Sequence, residues 1–403
     1  MRPADGSARS SPFASLCRSI WSLRREHVHS AVPSLISDML QSTLESFQKN
    51  VTDQLSDLSG VSDAELLSVA WVRKLLDAFI CSQDEFKLIL FSNKELIAKQ
   101  PLDRMVNEYF ESCVKALDIC NATRDGIEKV RVWLKHLDIV RSAMDSNQRV
   151  VGEGHFRRAR KALVDLTLEM LEDKDSDSVS TLSHRNRSFG HHSAMKDHHQ
   201  HHPQRPGHSR SLSWSVPRSW SAVKQLRSIT HTLAPPRGSD IIATSGLVVP
   251  LFTISFFLAF VLWVLVAAIP CQDRGVNIHL SVPRSFLWAG PVLSLHDRIL
   301  EESRKRDCRN ASGLLKEIHE MEKCAEHLMN LVDSVHLPLM EEQKIEIEHG
   351  VEDLGLISEA LRNGLEPMEL KVREMFHRIM NCRAEGLEVY CRTPAAWSNQ
   401  AQV

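Results

Sequence analysis

Apolar residues fall at Ile36, Leu40, Leu44, Phe47, Val51, Leu55 and Leu58, spaced 4, 4, 3, 4, 4 and 3, and Gly60 follows the last of them. That spacing lines one helix face, and the glycine ends it. From Asp63 to Ile97 the apolar positions are denser: Leu66, Leu67, Val69, Ala70, Leu75, Leu76, Phe79 and Ile80 cover more than one stripe. This predicts a helix central to its bundle. Pro101 restarts the chain. Leu102, Val106, Tyr109, Cys113, Leu117 and Cys120 repeat the helical period, followed by Ile127, Val130, Leu134 and Leu137, and a fifth stripe runs through Phe156, Ala159, Leu163, Leu166 and Met170. Five amphipathic segments with short connections predict an α-helical bundle over 35–172, because each stripe must be buried against its neighbours. Cys113 and Cys120 lie on a core-facing stripe and read as small buried hydrophobes.

From 173 to 239 the pattern gives way to Ser, Arg, His and Pro, with too little apolar surface to offset ordering entropy, so a disordered polar linker is expected. Eight histidines from His184 to His208 could collect a transition metal, yet no acidic or Cys ligand stands at a defined spacing. Arg185, Arg210 and Arg218 each precede a serine by three residues, making Ser188, Ser213 and Ser221 candidate phosphorylation sites for basic-directed kinases.

The 32 residues 241–272 then contain no Asp, Glu, Lys, Arg or His. Pro250 and Pro270 bracket Leu251 to Ile269, which as a helix would extend ~28 Å, close to the ~30 Å hydrocarbon core. The membrane span so predicted is carried by Leu251, Phe252, Phe256, Phe257, Leu258, Phe260, Leu262, Trp263, Leu265 and Ile269. On the translocon scale such a run contributes roughly 4 to 8 kcal/mol towards insertion. The alternative is a helix fully buried in a soluble bundle. Arg218, Lys224, Arg227 and Arg237 upstream outweigh Arg274 and Arg284 downstream, so a single crossing would leave the N-terminal half in the cytosol. The C-terminal half would then meet oxidant at Cys308, Cys324, Cys382 and Cys391, and Asn310 could be glycosylated. Were the two halves to pack on one another, a single crossing would be impossible.

Past Pro291 helical periodicity returns. Leu314, Ile318, Met321, Ala325, Leu328, Val332 and Val335 form a seam ending near Pro338, and further stripes run Ile347, Val351, Leu354, Leu361 and Met368, Val372, Met375, Ile379, Cys382. Three antiparallel helices over 291–391, closing on the N-terminal bundle or offering a seam to a partner helix, are the economical reading.

Composition narrows the classes. Lys plus Arg number 49 against 51 Asp plus Glu, so no global field marks a nucleic-acid binder. Two tyrosines and sixteen each of Gly and Pro disfavour an all-β chain, and nine scattered cysteines are not a disulfide framework. Residues 1–34 form a basic, Ser-rich tail, with five arginines in the first thirty, as in an organellar transit peptide or an ordinary solvated tail. His319-Glu320 begins a zinc-protease-like pattern, but Lys323 stands where the second His must be; Cys324 and His327 sit one turn apart without a second pair. No phosphate-cradling loop or nucleophile elbow occurs, so neither a catalytic residue nor a cofactor or metal site is assigned.

Phe47-Gln48-Lys49-Asn50-Val51, the long apolar second helix, and Trp263 through Ala267-Ala268-Ile269-Pro270-Cys271-Gln272-Asp273-Arg274-Gly275 resemble the plant BYPASS-related family, including its exocyst-interacting ROH-type members. The similarity runs from about Phe13 to Cys391 and is weakest in the His-rich stretch. It implies an all-α plant protein acting in root and shoot development by restraining a root-derived mobile signal, or in secretion through exocyst subunits. It supplies no catalytic residue, and its reach through 13–60 argues against a cleaved transit peptide. The expectation is therefore a non-enzymatic, membrane-associated regulator or adaptor, mostly facing the cytosol, that binds protein partners and no nucleic acid. A soluble interaction scaffold with the apolar segment buried is the alternative, and an enzyme acting on a lipophilic signal precursor is a more distant one.

Overall fold

The computed structural model describes residues 31–144, 152–172, 221–271, 278–306, 312–334 and 338–392. Among them all regular secondary structure is helical, without strands. The first hairpin pairs α1 (Ala31–Ser59) with α2 (Val69–Ser92). Its corner is built from caps. Ser68 Oγ accepts from Trp71 N at 3.1 Å, and the Glu317 carboxylate accepts from Val69 N at 3.0 Å, so two of the orphan donors at the start of α2 are satisfied. At the end of α1 the Arg298 guanidinium donates to the carbonyls of Ser59 and Val61, both at 2.8 Å, and pairs with Asp63. A cation there complements the negative end of the helix dipole.

A short turn, α3 (Lys94–Ile97), leads to α4 (Leu102–Met144), 43 residues long, and then to α5 (Glu153–Glu172). The two stripes expected as separate helices over 102–120 and 127–137 are thus one. Gly126 lies between them, and its position on a long helix is explained by contact: a Cβ there would stand 2.6 Å from Ile269 Cγ2 and 2.8 Å from the Pro270 carbonyl. The bare backbone admits another chain segment, which outweighs a helix-propensity cost of about 1 kcal/mol.

The polar stretch ends earlier than its composition suggests. Residues 221–243 hold α6 (Ala222–His231) and α7 (Gly238–Ala243). Ser221 caps α6, accepting from Lys224 N at 3.3 Å, and Ala222, Val223, Leu226 and Ile229 are buried against α4 and the next long helix. Four apolar residues at helical spacing outweigh the Ser/Arg/His bias around them. Residues 173–220 lie outside those described.

Next comes α8 (Val248–Ala268), which begins two residues before Pro250. A proline in the first turn removes a donor that has no intrahelical acceptor anyway. The C-terminal part comprises α9 (Ala289–Lys305), α10 (Lys316–Ser334) and α11 (Glu341–Arg392). The stripes 347–361 and 368–382 are one helix of 52 residues with Pro367 inside it. The reason is a continuous seam. Leu354, Leu361, Leu365, Met368, Val372, Met375, Ile379 and Cys382 are all buried, at spacings of 7, 4, 3, 4, 3, 4 and 3 across the proline. At about 1.5–3 kcal/mol for each large apolar side chain, this burial far exceeds the ~3 kcal/mol that an interior proline costs.

Helix α11 lies on both α2 and α4, in opposite senses. Asp77–Lys371 (2.8 Å), Asp84–Arg378 (3.0 Å) and Lys87–Glu385 (2.6 Å) rise together along parallel α2 and α11. Asp138–Arg362, Arg131–Glu369 (2.6 Å) and the Tyr390 hydroxyl on the Asp103 carbonyl (3.3 Å) run antiparallel along α4. Pairs recur at seven-residue steps, the register of coiled-coil-like packing. The chain's two halves therefore share one core, with α9 also on α1 and α10 on α5.

Candidate functional site

The apolar segment is the centre of the molecule. Helix α8 packs against α1, α2, α4, α6 and α7, and every one of its 21 residues except Ser255 is buried. Each residue expected in a membrane span is inside: Phe257 meets Phe79 edge-on at 5.6 Å, Phe256 meets Trp288 at 5.1 Å, and Trp263 meets His296 at 4.7 Å. By length and composition α8 can cross a membrane, and it is the one such helix among the described residues; 94% of its most apolar window is covered by protein. Because α9, α10 and α11 contact the N-terminal helices, a crossing that places the two halves on opposite sides of a bilayer is incompatible with this fold.

Two polar joints fix the helix in place. At its first half Gln48 of α1 donates through Nε2 to Thr253 Oγ1 at 3.0 Å and accepts through Oε1 from Trp288 Nε1 at 3.0 Å; the Thr253 hydroxyl also donates to the Val249 carbonyl. Gln48 is 3% exposed, so the amide is a buried polar group with its partners supplied. At the other end the orphan carbonyls of Ala267 and Ala268 accept from Leu314 N (2.8 Å) and Leu315 N (3.1 Å). Gly313 makes this approach with φ +136°, and a Cβ there would lie 2.4 Å from the Ala268 oxygen. Lys316 N donates to the Leu67 carbonyl at 2.9 Å and completes the joint. Phe47-Gln48 and Ala267-Ala268-Ile269-Pro270 thus sit at the contacts that hold α8, whereas 272–277 lie outside the described residues.

Beside Ser255 a cleft of about 340 Å³ opens between the start of α4, the α6–α7 connection and the first half of α8. Leu251, Phe252 and Ser255 form its floor, Met105 and Ile229 its sides, and Pro235, Pro236 and Arg237 part of its rim. Sequence reasoning missed this site. Helix α6, one of its walls, was hidden in a polar stretch, although Ser221 as a cap followed by Val223, Leu226 and Ile229 was a legible start signal.

The remaining candidates are spent on structure. Ser221 is 3% exposed and caps α6, so in the fold it is closed to a kinase; Ser188, Ser213, the histidines 184–208, Cys308 and Asn310 lie outside the described residues. Cys113 and Cys120 are fully buried, and burial pushes the Cys120 thiol up to about 12 and Cys113 higher still. Cys382 is buried too, its thiol raised to about 12, first by burial. Cys324 donates to the Gly350 carbonyl at 3.4 Å, while His327 faces Glu346 at 3.8 Å. Burial and the nearby Arg306 lower the His319 pKa. Among the described residues no three His, Cys, Asp or Glu side chains converge as a metal site. Glu317 of α10, which caps the start of α2, has its pKa raised, first by burial and against the help of the Val69 amide. Glu369 is raised by burial, but Arg131 and the neighbouring Arg373 and Arg124 outweigh this and hold it low.

Comparison with known proteins places the whole chain. The sequence model described as "Protein ROH1-like" matches residues 8–390. The chain is 51% identical over 382 residues to Protein ROH1D of Arabidopsis thaliana, covering 92% of this chain and 95% of that one. It is 36% identical over 378 residues to Protein ROH1A of the same plant, covering 87% and 90%. Similarity to the Arabidopsis Protein BPS1, chloroplastic, is confined to 89 residues at 28% identity, covering 22% of this chain and 25% of that one. No solved structure matches. On a match spanning nearly its whole length, the chain belongs to the ROH1-like family, with BPS1 a distant relative.

Proposed function

We propose that this chain is a non-enzymatic helical adaptor of plant development that works as a folded bundle, with α8 as its core rather than as an exposed anchor. The enclosure of α8 carries this reading: all its side chains but Ser255 are covered and both its ends are tied to the protein. Helix α11 is the surface offered to partners. It extends ~78 Å at ~1.5 Å per residue and leaves Leu356, Leu370 and Met380 exposed on its outer side. Exposed apolar side chains on a long helix suit a partner helix. Exocyst tethering subunits are the partner class that the family resemblance implies, and control of secretion would link the bundle to restraint of a mobile signal.

Membrane association through α8 is the second reading, favoured by the length and charge-free composition of that helix. It requires the bundle to open, exposing what α1, α2, α4 and α6 now cover. Carbonate extraction of the intact chain, beside a variant carrying Leu258→Arg and Leu262→Arg, separates the two. The adaptor reading expects the intact chain in the supernatant and the variant unfolded by circular dichroism. An intact chain that stays with membranes, together with a variant released in folded form, overturns it.

A further inference from the structure

The one residue of α8 that escapes burial, Ser255, opens into the cleft beside α4 and α6. Elsewhere the bundle covers this helix; here it leaves a concavity with Leu251 and Phe252 on the floor. Its volume, about 340 Å³, falls within the roughly 300–1,000 Å³ of small-molecule sites. The scaffold is stiff, since the floor belongs to the central core helix and the rim carries Pro235 and Pro236, whose rings fix the backbone.

The donor inventory selects the occupant. The hydroxyls inside are committed: Ser255 Oγ donates to the Leu251 carbonyl at 2.7 Å, Ser112 Oγ to the Glu108 carbonyl at 3.1 Å, and the Tyr109 hydroxyl to Gln83 Oε1 at 2.9 Å. The exposed lining is therefore about evenly polar and apolar, with Met105, Leu233, Leu251 and Phe252 supplying the apolar part and few uncommitted hydroxyl donors beside them. Strong donors stand at the rim. Arg104 is partly neutralised by Glu108 at 3.5 Å. Asp240 accepts from the Arg237 backbone N at 3.1 Å and so closes the first turn of α7, while the Arg237 guanidinium forms no ion pair among the described residues. A guanidinium without an acidic partner, at the rim of a cleft with an apolar floor, is suited to a carboxylate or similar anion.

We propose that this cleft binds a small amphipathic molecule carrying one anionic group, its apolar part on Leu251 and Phe252 beside Ser255 and its charge at Arg237. Fluorescence titration of the full chain with anilinonaphthalene sulfonate, an apolar anion, followed by displacement with decanoate or its uncharged methyl ester, tests this directly. The expected result is saturable binding of one probe per chain, displaced better by decanoate than by the ester. Ser255→Trp, which fills the floor, weakens binding by about tenfold or more, and Arg237→Glu removes the preference for the acid. Non-saturable binding, or binding that neither substitution alters while circular dichroism shows both variants folded, overturns the proposal. Should Ser255→Trp fail to fold, photolabelling of the unmodified chain with a diazirine-bearing decanoic acid decides the matter. Labels on Met105, Leu233 or Phe252 support the site, and labels confined to other surfaces sink it.

Discussion

Helices α8 and α11 solve opposite problems. The 21 residues of α8 are apolar all round, and the fold encloses them with five other helices. The 52 residues of α11 are apolar along one seam, and that seam alone is buried, on α2 and α4, with ion pairs flanking it on both sides. A helix like α8 contains no information about which medium surrounds it, since lipid and protein interior satisfy it equally. The seam of α11 does, because its polar remainder requires water. What decides the environment of α8 is supplied from other parts of the chain: Gln48, Trp288 and the 313–316 backbone.

The sharpest way to break the contrast is a charge in α8. Leu258 is fully buried, so Leu258→Arg leaves an unpaired guanidinium in the core, and a loss of about 3–5 kcal/mol or outright unfolding is expected in urea denaturation followed by circular dichroism. The exposed Leu370 of α11, changed to Arg, should shift stability by no more than about 0.5 kcal/mol. Equal effects at the two positions would mean that α8 is not enclosed in solution.

A smaller effect tests the joint. Gln48→Leu keeps the bulk of the side chain but strands Trp288 Nε1, and removes the Thr253 hydroxyl's donor, in a site without water access. A cost of about 1–3 kcal/mol follows from the lost partners. The double variant with Thr253→Val should cost less than the sum of the two single changes, because one interaction is then removed by both. Strict additivity would show that the two groups do not meet.

Pro367→Ala probes α11 in the opposite direction. The seam on both sides is already helical, so replacing the ring restores a donor for the Asn363 carbonyl, and the protein should gain about 1 kcal/mol or more. A loss of stability would mean that α11 depends on a bend at this point for its fit on α2 and α4.

These three sites also show what the sequence could reveal. The seams of α1, α4 and α11 were readable from spacing, because amphipathic burial writes a 3.6-residue period into the chain. Their breaks were not. Gly126 and Pro367 look like helix ends until it is known that Gly126 admits Ile269 and Pro270 and that the α11 seam continues past residue 367. Gln48 and Ala267-Ala268 stood out as family-like residues, but their role depends on partners some 205 and 47 positions away along the chain, which no local pattern contains. The cleft was invisible for the same reason, being made of three segments of which one, α6, lay in polar surroundings.

The smallest effect lies where the N-terminal hairpin meets the C-terminal helices. Glu317 accepts from Val69 N, yet burial raises its pKa above the ordinary 4.5. The native state therefore holds this proton to a higher pH than the unfolded chain does. Its contribution is most favourable below 4.5 and declines as pH rises through the folded value, since the native state binds more protons over that window. Glu317→Gln keeps an oxygen acceptor for Val69 N and cannot ionise. Urea titrations at pH 4 to 8 should then show the variant losing less stability with rising pH than the parent, and matching or slightly exceeding it at pH 7. Glu317→Ala, which removes the cap as well, should fall below both by about 1 kcal/mol at every pH. If the glutamine variant were instead the weaker at pH 7, the negative charge at the start of α2 would outweigh its burial, and this corner would be held by electrostatics, as the flanks of α11 are, rather than by a hydrogen bond in a dry joint.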